Sequence, residues 1–202
     1  MLNVISASSL QPYTSLLQQA LQAKHLILST VASRYAREAL QAIFDRKCAD
    51  VTGVGHTVWA MNSQAARPDA VQSFCNKHSP CYVLFLSKGH RNKPGSITID
   101  AAKRYSIDGQ PPWLPLSARL SPVTGLRTKL TTGLWLEELE QVHSRSIALG
   151  PFLKQDGQRL TEFSNINSAY PVERVGPVQD GDYNILAVGR LGKPFAVYLR
   201  RQ

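Results

Sequence analysis

Histidine and cysteine are the residues of this chain whose chemistry could build a catalytic or metal site. The histidines are His25, His56, His78, His90 and His143, and the cysteines are Cys48, Cys75 and Cys81. The histidines show none of the HxH, HxxxH and HExxH spacings that hold a metal ion on one element, and no CxxC occurs. Cys75 and His78 lie at helical spacing, which suits either a Cys/His pair or a thiol beside a surface imidazole. The pattern predicts no metal, no cofactor and no catalytic residue.

Three tryptophans are candidates for binding a nucleobase. Indole is the best ring for stacking on bases and for caging methylated groups. Trp59 ends a predicted strand, where core packing and ligand binding are equally consistent with its position. Trp113 lies in a Pro-rich stretch, residues 110–115, as either a lid residue or an anchor for that loop. Trp135 is expected in the core.

The positive charge is concentrated in one part of the chain. The sequence has 23 Lys and Arg against 14 Asp and Glu, a net charge of +9. Residues 86–130 contain Lys88, Arg91, Lys93, Lys103, Arg104, Arg119, Arg127 and Lys129, opposed by Asp100 and Asp108. A local basic cluster of this kind is the electrostatic footprint of a nucleic-acid binder. The alternative is a solvated basic loop.

Length and composition fit a globular protein. With 202 residues and 43% hydrophobic residues, the chain suits one domain with a sizeable core. No apolar run approaches the roughly 20 residues that cross a bilayer, so no membrane partner is expected. The N-terminus lacks a basic region followed by a long apolar stretch, which predicts no secretory signal. An odd number of cysteines favours a reducing compartment, and we expect an intracellular protein, cytoplasmic or nuclear.

Periodicity and breaker residues predict alternating helices and strands. Helices are predicted over residues 10–23, over 34–46 after a Ser33 cap, and from Pro68. Strands are predicted over residues 26–28, 57–60, 81–87, 116–120 and 133–139, and a C-terminal hairpin over 184–189 and 195–199 around Leu191-Gly192-Lys193. This order predicts a mixed α/β (α+β) domain with a small, barrel-like sheet. Within one domain of residues 1–202, we expect a helical extension (1–23), a core (24–180), an inserted basic loop (88–115) and a terminal hairpin (181–202).

The order of motifs resembles the YTH domain, the reader of N6-methyladenosine in RNA. That family belongs to the PUA-like group together with the EVE and ASCH domains. The similarity runs collinearly from about residue 24 to residue 180. The matching pieces are residues 25–30, 58–62, 82–89, 116–120, 134–136 and 165–172.

The resemblance implies a PUA-like fold, a small mixed sheet or open barrel flanked by helices, and a non-enzymatic RNA-binding function, with DNA the less expected partner. The implied base pocket, which could accept a flipped and N6-methylated adenine, comprises Trp59, Ser29, Thr30, Ala60, Asn62, Leu130 and Trp113. Leu130 stands where the family has its second cage tryptophan, and Trp113 is the candidate substitute. The implied phosphate contacts are Lys88, Arg91, Lys93, Arg127 and Lys129.

Two other functions stay open from the sequence. Residues 88–115 could dock on an acidic protein partner within a larger assembly. A nuclease could use His56 or His90 with a nearby carboxylate, although no recognisable catalytic spacing supports it.

Overall fold

The structure is a computed structural model that describes residues 15–31, 40–61, 66–88, 113–114, 131–163 and 169–199. These residues form three helices and nine strands. In chain order they are α1 (Leu16–Gln22), β1 (His25–Thr30), α2 (Leu40–Val54), β2 (Thr57–Met61), α3 (Pro68–Lys77), β3 (Cys81–Lys88), β4 (Trp113–Leu114), β5 (Thr131–Gln141), β6 (Ser146–Ile147), β7 (Phe152–Lys154), β8 (Ala169–Arg174) and β9 (Tyr183–Leu199). The fold is mixed α/β, as the sequence predicts.

The nine strands form one mixed sheet with the main order β2-β5-β9-β3-β1-β8-β7, and β4 and β6 pair with β9. The pair β1–β3 is parallel, and the other described pairs are antiparallel. No pairing among the described residues joins β2 to β7, so the sheet is open. No helix within the described ranges is long and apolar enough to cross a membrane.

The sheet curls strongly at its β2 end. In a flat sheet β2 and β3 would lie about 14 Å apart, because two strands separate them. The rings of Trp59 on β2 and Phe85 on β3 nevertheless approach to 4.4 Å between centroids. The curl therefore brings side chains of non-neighbouring strands into one packed layer.

Each face of the sheet buries its own apolar cluster. Alternate residues of β3 belong to different clusters, because successive side chains of a strand point to opposite faces of the sheet. Cys81, Val83 and Phe85 pack beneath α2 and α3 in the first cluster. Tyr82, Leu84 and Leu86 pack in the second cluster, with α1 and Phe152 of β7. Burial on both faces explains why β3 is an uninterrupted apolar run and the clearest strand in the sequence.

The predicted helices and strands that fall on described residues are confirmed, with changes at their ends. β1, β2, β3 and β5 contain the predicted strands, and α3 starts at Pro68 as predicted. The end predicted at residue 46 for the second helix is wrong, because α2 continues to Val54. Its stop is Gly55, whose φ of 81° suits glycine at a helix C-terminus. The predicted strand over residues 116–120 lies outside the described residues.

The predicted C-terminal hairpin is wrong. Residues 183–199 form one strand, β9, and both of its halves pair with the same neighbour, β5. Between Leu191 and Ala196 the register shifts, so the supposed turn is a bulge within the strand. The Glu137 carboxylate occupies the space that a Cβ at residue 192 would need. Gly192 therefore serves close packing, where the sequence had suggested a turn.

Candidate functional site

Trp59, the centre of the predicted base pocket, is a core residue in this structure. It is 7% exposed and belongs to the first apolar cluster. Phe44 of α2 stacks on it at 5.2 Å and 21°, and Phe85 lies against it at 4.4 Å and 42°. The Lys47 ammonium lies 5.5 Å from the ring centroid and donates to the Val58 carbonyl. These side chains already occupy the positions around the indole that a stacked base would need.

The structure brings Ser29 into the same layer as Trp59, but with a ring between them. Ser29 is 2% exposed and pairs in register with Phe85, which in turn contacts Trp59. Thr30 follows on β1 and is half-buried. Phe85 therefore lies between Ser29 and Trp59, the two residues that the predicted base pocket would bring together.

The remaining predicted site residues are only partly described. Ala60 continues β2 and pairs with Gly133. Trp113 pairs in β4 with Leu199, and Lys88 ends β3 opposite Tyr183. The others lie outside the described residues: Asn62, Leu130, Arg91, Lys93, Arg127 and Lys129.

An open pocket of about 440 Å³ lies elsewhere on the same face, at the junction of α3 with the β1–β8–β7 end of the sheet. One wall is a single face of α3, formed by Ala70, Ser73, Phe74 and Lys77 at spacings i, i+3, i+4 and i+7. The base includes His25 and Glu173, which are partners in the β1–β8 register. We call this space the α3 pocket.

The opposite wall of the α3 pocket is a β-hairpin formed by residues 152–160. Leu160 donates its backbone N–H to the Phe152 carbonyl at 2.9 Å, and Lys154 donates to Gln158 at 2.8 Å. Gly157, with φ of 80°, makes the turn that L side chains rarely tolerate. The hairpin lines the pocket with Leu153, Lys154, Gln155 and Gly157. Its backbone bonds fix this wall relative to the sheet.

Three rings line the inner side of the α3 pocket. The imidazoles of His25 and His78 stack at 3.7 Å and 21°. Phe74 lies edge-on to His25 at 6.1 Å and tilted against His78 at 5.0 Å. His78 holds this position because it caps the C-terminus of α3, where its backbone N–H bonds to the Phe74 carbonyl at 3.1 Å. Neither imidazole hydrogen-bonds to another described residue, so both rings can use their N–H edges on a ligand.

Ionisable groups surround the stacked imidazoles. Burial, the neighbouring His78 and the Lys24 ammonium lower the pKa of His25, while the Glu173 carboxylate partly opposes them. The Lys24 ammonium lies 2.9 Å from Glu173, and its hydrogen bond and charge hold the pKa of that carboxyl below its usual range. The Lys154 ammonium lies 5.5 Å from the Tyr170 ring centroid. Tyr170 packs against the second cluster, so this ammonium is on the other side of the sheet.

The two other His and Cys candidates from the sequence have partners of their own. His56 stacks on Trp135 at 4.0 Å and 11°. Cys75 is fully buried, and a hydrogen bond with the Cys81 thiol and burial raise its pKa, so it stays a protonated core thiol. The Cys75/His78 pairing considered from the sequence gives way to His25 as the ring partner of His78. No group of three metal-ligating side chains converges within the described part of the chain.

The sequence offered one local signal for the α3 pocket. His78 follows Phe74 by four residues at the end of a helix, which predicts ring contact. The rest depends on the fold, because His25 and Glu173 are far apart in the chain and meet only through the β1–β8 register.

Comparison of the chain with protein-family models, with curated proteins and with solved structures finds no match.

Proposed function

We propose that this protein is a non-enzymatic nucleic-acid-binding module that takes RNA through its phosphate backbone. The observation that supports it is that β4 and β5 both begin beside the last residue of β9, where basic residues adjoin these strands in the sequence. Trp113 of β4 and Thr131 of β5 both pair with Leu199. In sequence, Arg127 and Lys129 come shortly before Thr131, and Arg200 and Arg201 directly follow Leu199.

The distribution of charge along the chain agrees with this proposal. Residues 86–130 contain eight Lys and Arg and only two Asp. The rest of the chain contains 15 Lys and Arg and 12 Asp and Glu, so its charges are nearly balanced. Separation of an electropositive part from a balanced one favours a polyanionic partner, because each neutralised phosphate releases a counterion.

The packing of Trp59 favours backbone contacts over a base pocket in such a module. A flipped adenine on the indole requires Phe44 to leave its 5.2 Å stack. Phosphate contacts require no such rearrangement, and they carry affinity without sequence choice. The proposed binding is therefore indifferent to an N6-methyl group. The finer alternative, a PUA-like reader with methyladenine at Trp59, predicts a preference for the methylated strand.

The test is a fluorescence titration with two 20-nucleotide RNAs, one plain and one with a single N6-methyladenosine, at several salt concentrations. We expect affinities within twofold of each other and a steep decrease with salt. Replacing two phosphate contacts in the variant Arg200→Gln/Arg201→Gln should reduce the salt slope by about 1.4, at roughly 0.7 per contact with single strands.

The matched control removes two positive charges elsewhere on the same strand and on the loop beside it. Arg145 and Lys193 are both exposed, so Arg145→Gln/Lys193→Gln preserves the fold and the net charge of the test variant. Equal slopes for the two double variants would contradict a site at the end of β9. No RNA binding by the wild-type chain would overturn the proposed function, and at least tenfold tighter binding of methylated RNA would favour the Trp59 reader.

A further inference from the structure

The α3 pocket takes no part in the proposed RNA contacts, and its walls are built from described residues. Its volume of about 440 Å³ lies in the range of small-molecule sites, which is roughly 300–1,000 Å³. It combines ring and aliphatic walls with a few converging polar groups, the composition that such sites show.

The polar groups of the pocket are mainly donors. The His25 and His78 imidazoles expose their N–H edges, and Lys77 contributes an exposed ammonium at the end of α3. Ser73 adds a hydroxyl one turn earlier. The three nitrogen donors around this opening match the three acceptor oxygens of a phosphoryl group.

The charges that face the pocket leave a positive balance. The carboxylate of Glu173 is paired with Lys24, so these two groups neutralise each other. Asp156, at the hairpin tip, is not one of the residues that line the pocket, and its carboxylate accepts the Gln158 backbone N–H at 3.0 Å. The Lys154 ammonium is engaged with Tyr170. The Lys77 ammonium remains to meet a ligand.

An anion would also relieve a repulsion that the stack creates. Burial and the neighbouring His78 lower the pKa of His25, because like charges 3.7 Å apart destabilise each other. The C-terminus of α3 favours a cation, and the Lys77 ammonium belongs to its last turn. A dianion between the ring edges and Lys77 compensates that charge.

We propose that the α3 pocket binds the phosphomonoester group of a small organic molecule. The phosphoryl oxygens bind His25, His78 and Lys77. The organic part packs on Phe74 and Leu153, because a phosphate ion alone fills only a small part of the pocket.

The test follows the imidazole resonances of the whole protein by NMR during titration with phenyl phosphate, inorganic phosphate and benzoate at pH 6 and constant ionic strength. We expect phenyl phosphate to bind at least fivefold more tightly than either other probe. The signals of His25 and His78 should move, while that of His143, which is exposed, stays in place. Equal affinity of benzoate, or equal movement of His143, would overturn the proposal.

Two variants probe the donors separately. Lys77→Met removes an exposed ammonium without disturbing the core and should weaken phenyl phosphate at least fivefold. His78→Gln should weaken it by a similar factor. The matched control Lys193→Met should leave the affinity unchanged. Unchanged binding by Lys77→Met would contradict the assignment. RNA binding should be unaffected by all three variants. Failure of the phosphomonoester proposal would therefore leave the proposed RNA function intact, and failure of the RNA function would leave the phosphomonoester proposal intact.

Discussion

Two three-ring clusters lie on the same face of the sheet, and only one of them borders open space. Phe44, Trp59 and Phe85 form a closed cluster in which the three residues are 3%, 7% and 0% exposed. His25, Phe74 and His78 form the other ring cluster, which we call the histidine cluster. Its ring distances are similar, yet it lines a pocket of about 440 Å³. Ring chemistry alone therefore does not separate a core from a site in this molecule.

The difference arises from where each ring stands on its element. Trp59 and Phe85 lie within strands, and the curl of the sheet presses them together beneath α2. His25 is the first residue of β1, and His78 is the capping residue of α3. Element ends have fewer packing neighbours, so polar ring edges stay accessible there. In this fold the accessible chemistry lies at the ends of elements, while the largest aromatic residues stabilise its centre.

The largest expected effect compares one phenylalanine from each cluster. Phe44→Ala should destabilise the protein by about 4 kcal/mol, because it leaves a closed cavity over Trp59. Phe74→Ala should cost about 3 kcal/mol, because the space it leaves joins the α3 pocket and admits water. Urea unfolding followed by circular dichroism measures both values.

The outcome bears directly on the contrast between the two clusters. If Phe74→Ala lost as much free energy of unfolding as Phe44→Ala, or more, the histidine cluster would be as closed as the cluster around Trp59. The pair is well matched, since the two side chains are identical and Phe44 and Phe74 are 3% and 5% exposed.

Much of the fold was predictable, because its signals are local. Residues 81–87 show β-branched and aromatic enrichment between breakers, and Pro68 marks a helix start, so β3 and α3 follow from the sequence. The single strand β9 did not follow, because Leu191-Gly192-Lys193 has turn composition. Only the passing Glu137 side chain explains the glycine, and that contact is long-range.

The candidate site was less predictable than the fold. The base-pocket prediction for Trp59 came from the family resemblance, because its residue type and position fitted core packing and ligand binding equally. The packing of Phe44 against it could not be predicted from spacing. The α3 pocket needs the register that sets His25 opposite Glu173, two residues 148 positions apart. Such a contact carries no periodic signal, so the sequence analysis names His25 but not its partner Glu173.

A smaller effect is the pH dependence of stability that His25 gives to the histidine cluster. Burial, His78 and Lys24 lower the pKa of His25, so the unfolded chain takes up a proton, near pH 6.5, before the folded chain does. The contribution of His25 to the free energy of unfolding is therefore fully present above about pH 6.5. It decreases as the pH falls through that value, because the unfolded chain is then protonated first. His25→Gln should reduce the loss of stability between pH 7.5 and pH 5 by less than about 1 kcal/mol, because water screens a half-buried ring.

Urea unfolding of the wild type and of His25→Gln at pH 7.5 and pH 5 measures this change. The free energy lost with the ring stacking cancels, because the variant lacks the stacking at both pH values. His143→Gln, at an exposed position, is the control and should leave the pH dependence unchanged. A steeper pH dependence in His25→Gln would contradict the direction of the His25 shift.

The smallest effect tests the Glu173 carboxylate, the negative charge next to the histidine cluster. The Glu173 carboxylate is the group that raises the pKa of His25 against burial, His78 and Lys24. Glu173→Gln keeps the shape of the side chain and removes this opposition, so the pKa of His25 should fall further below its ordinary value. NMR titration of the His25 imidazole measures it. Glu138→Gln, which removes an equal charge paired with Arg190 on another part of the sheet, should not move that pKa. An unchanged pKa of His25 in Glu173→Gln would contradict the electrostatic coupling between the Glu173 carboxylate and His25.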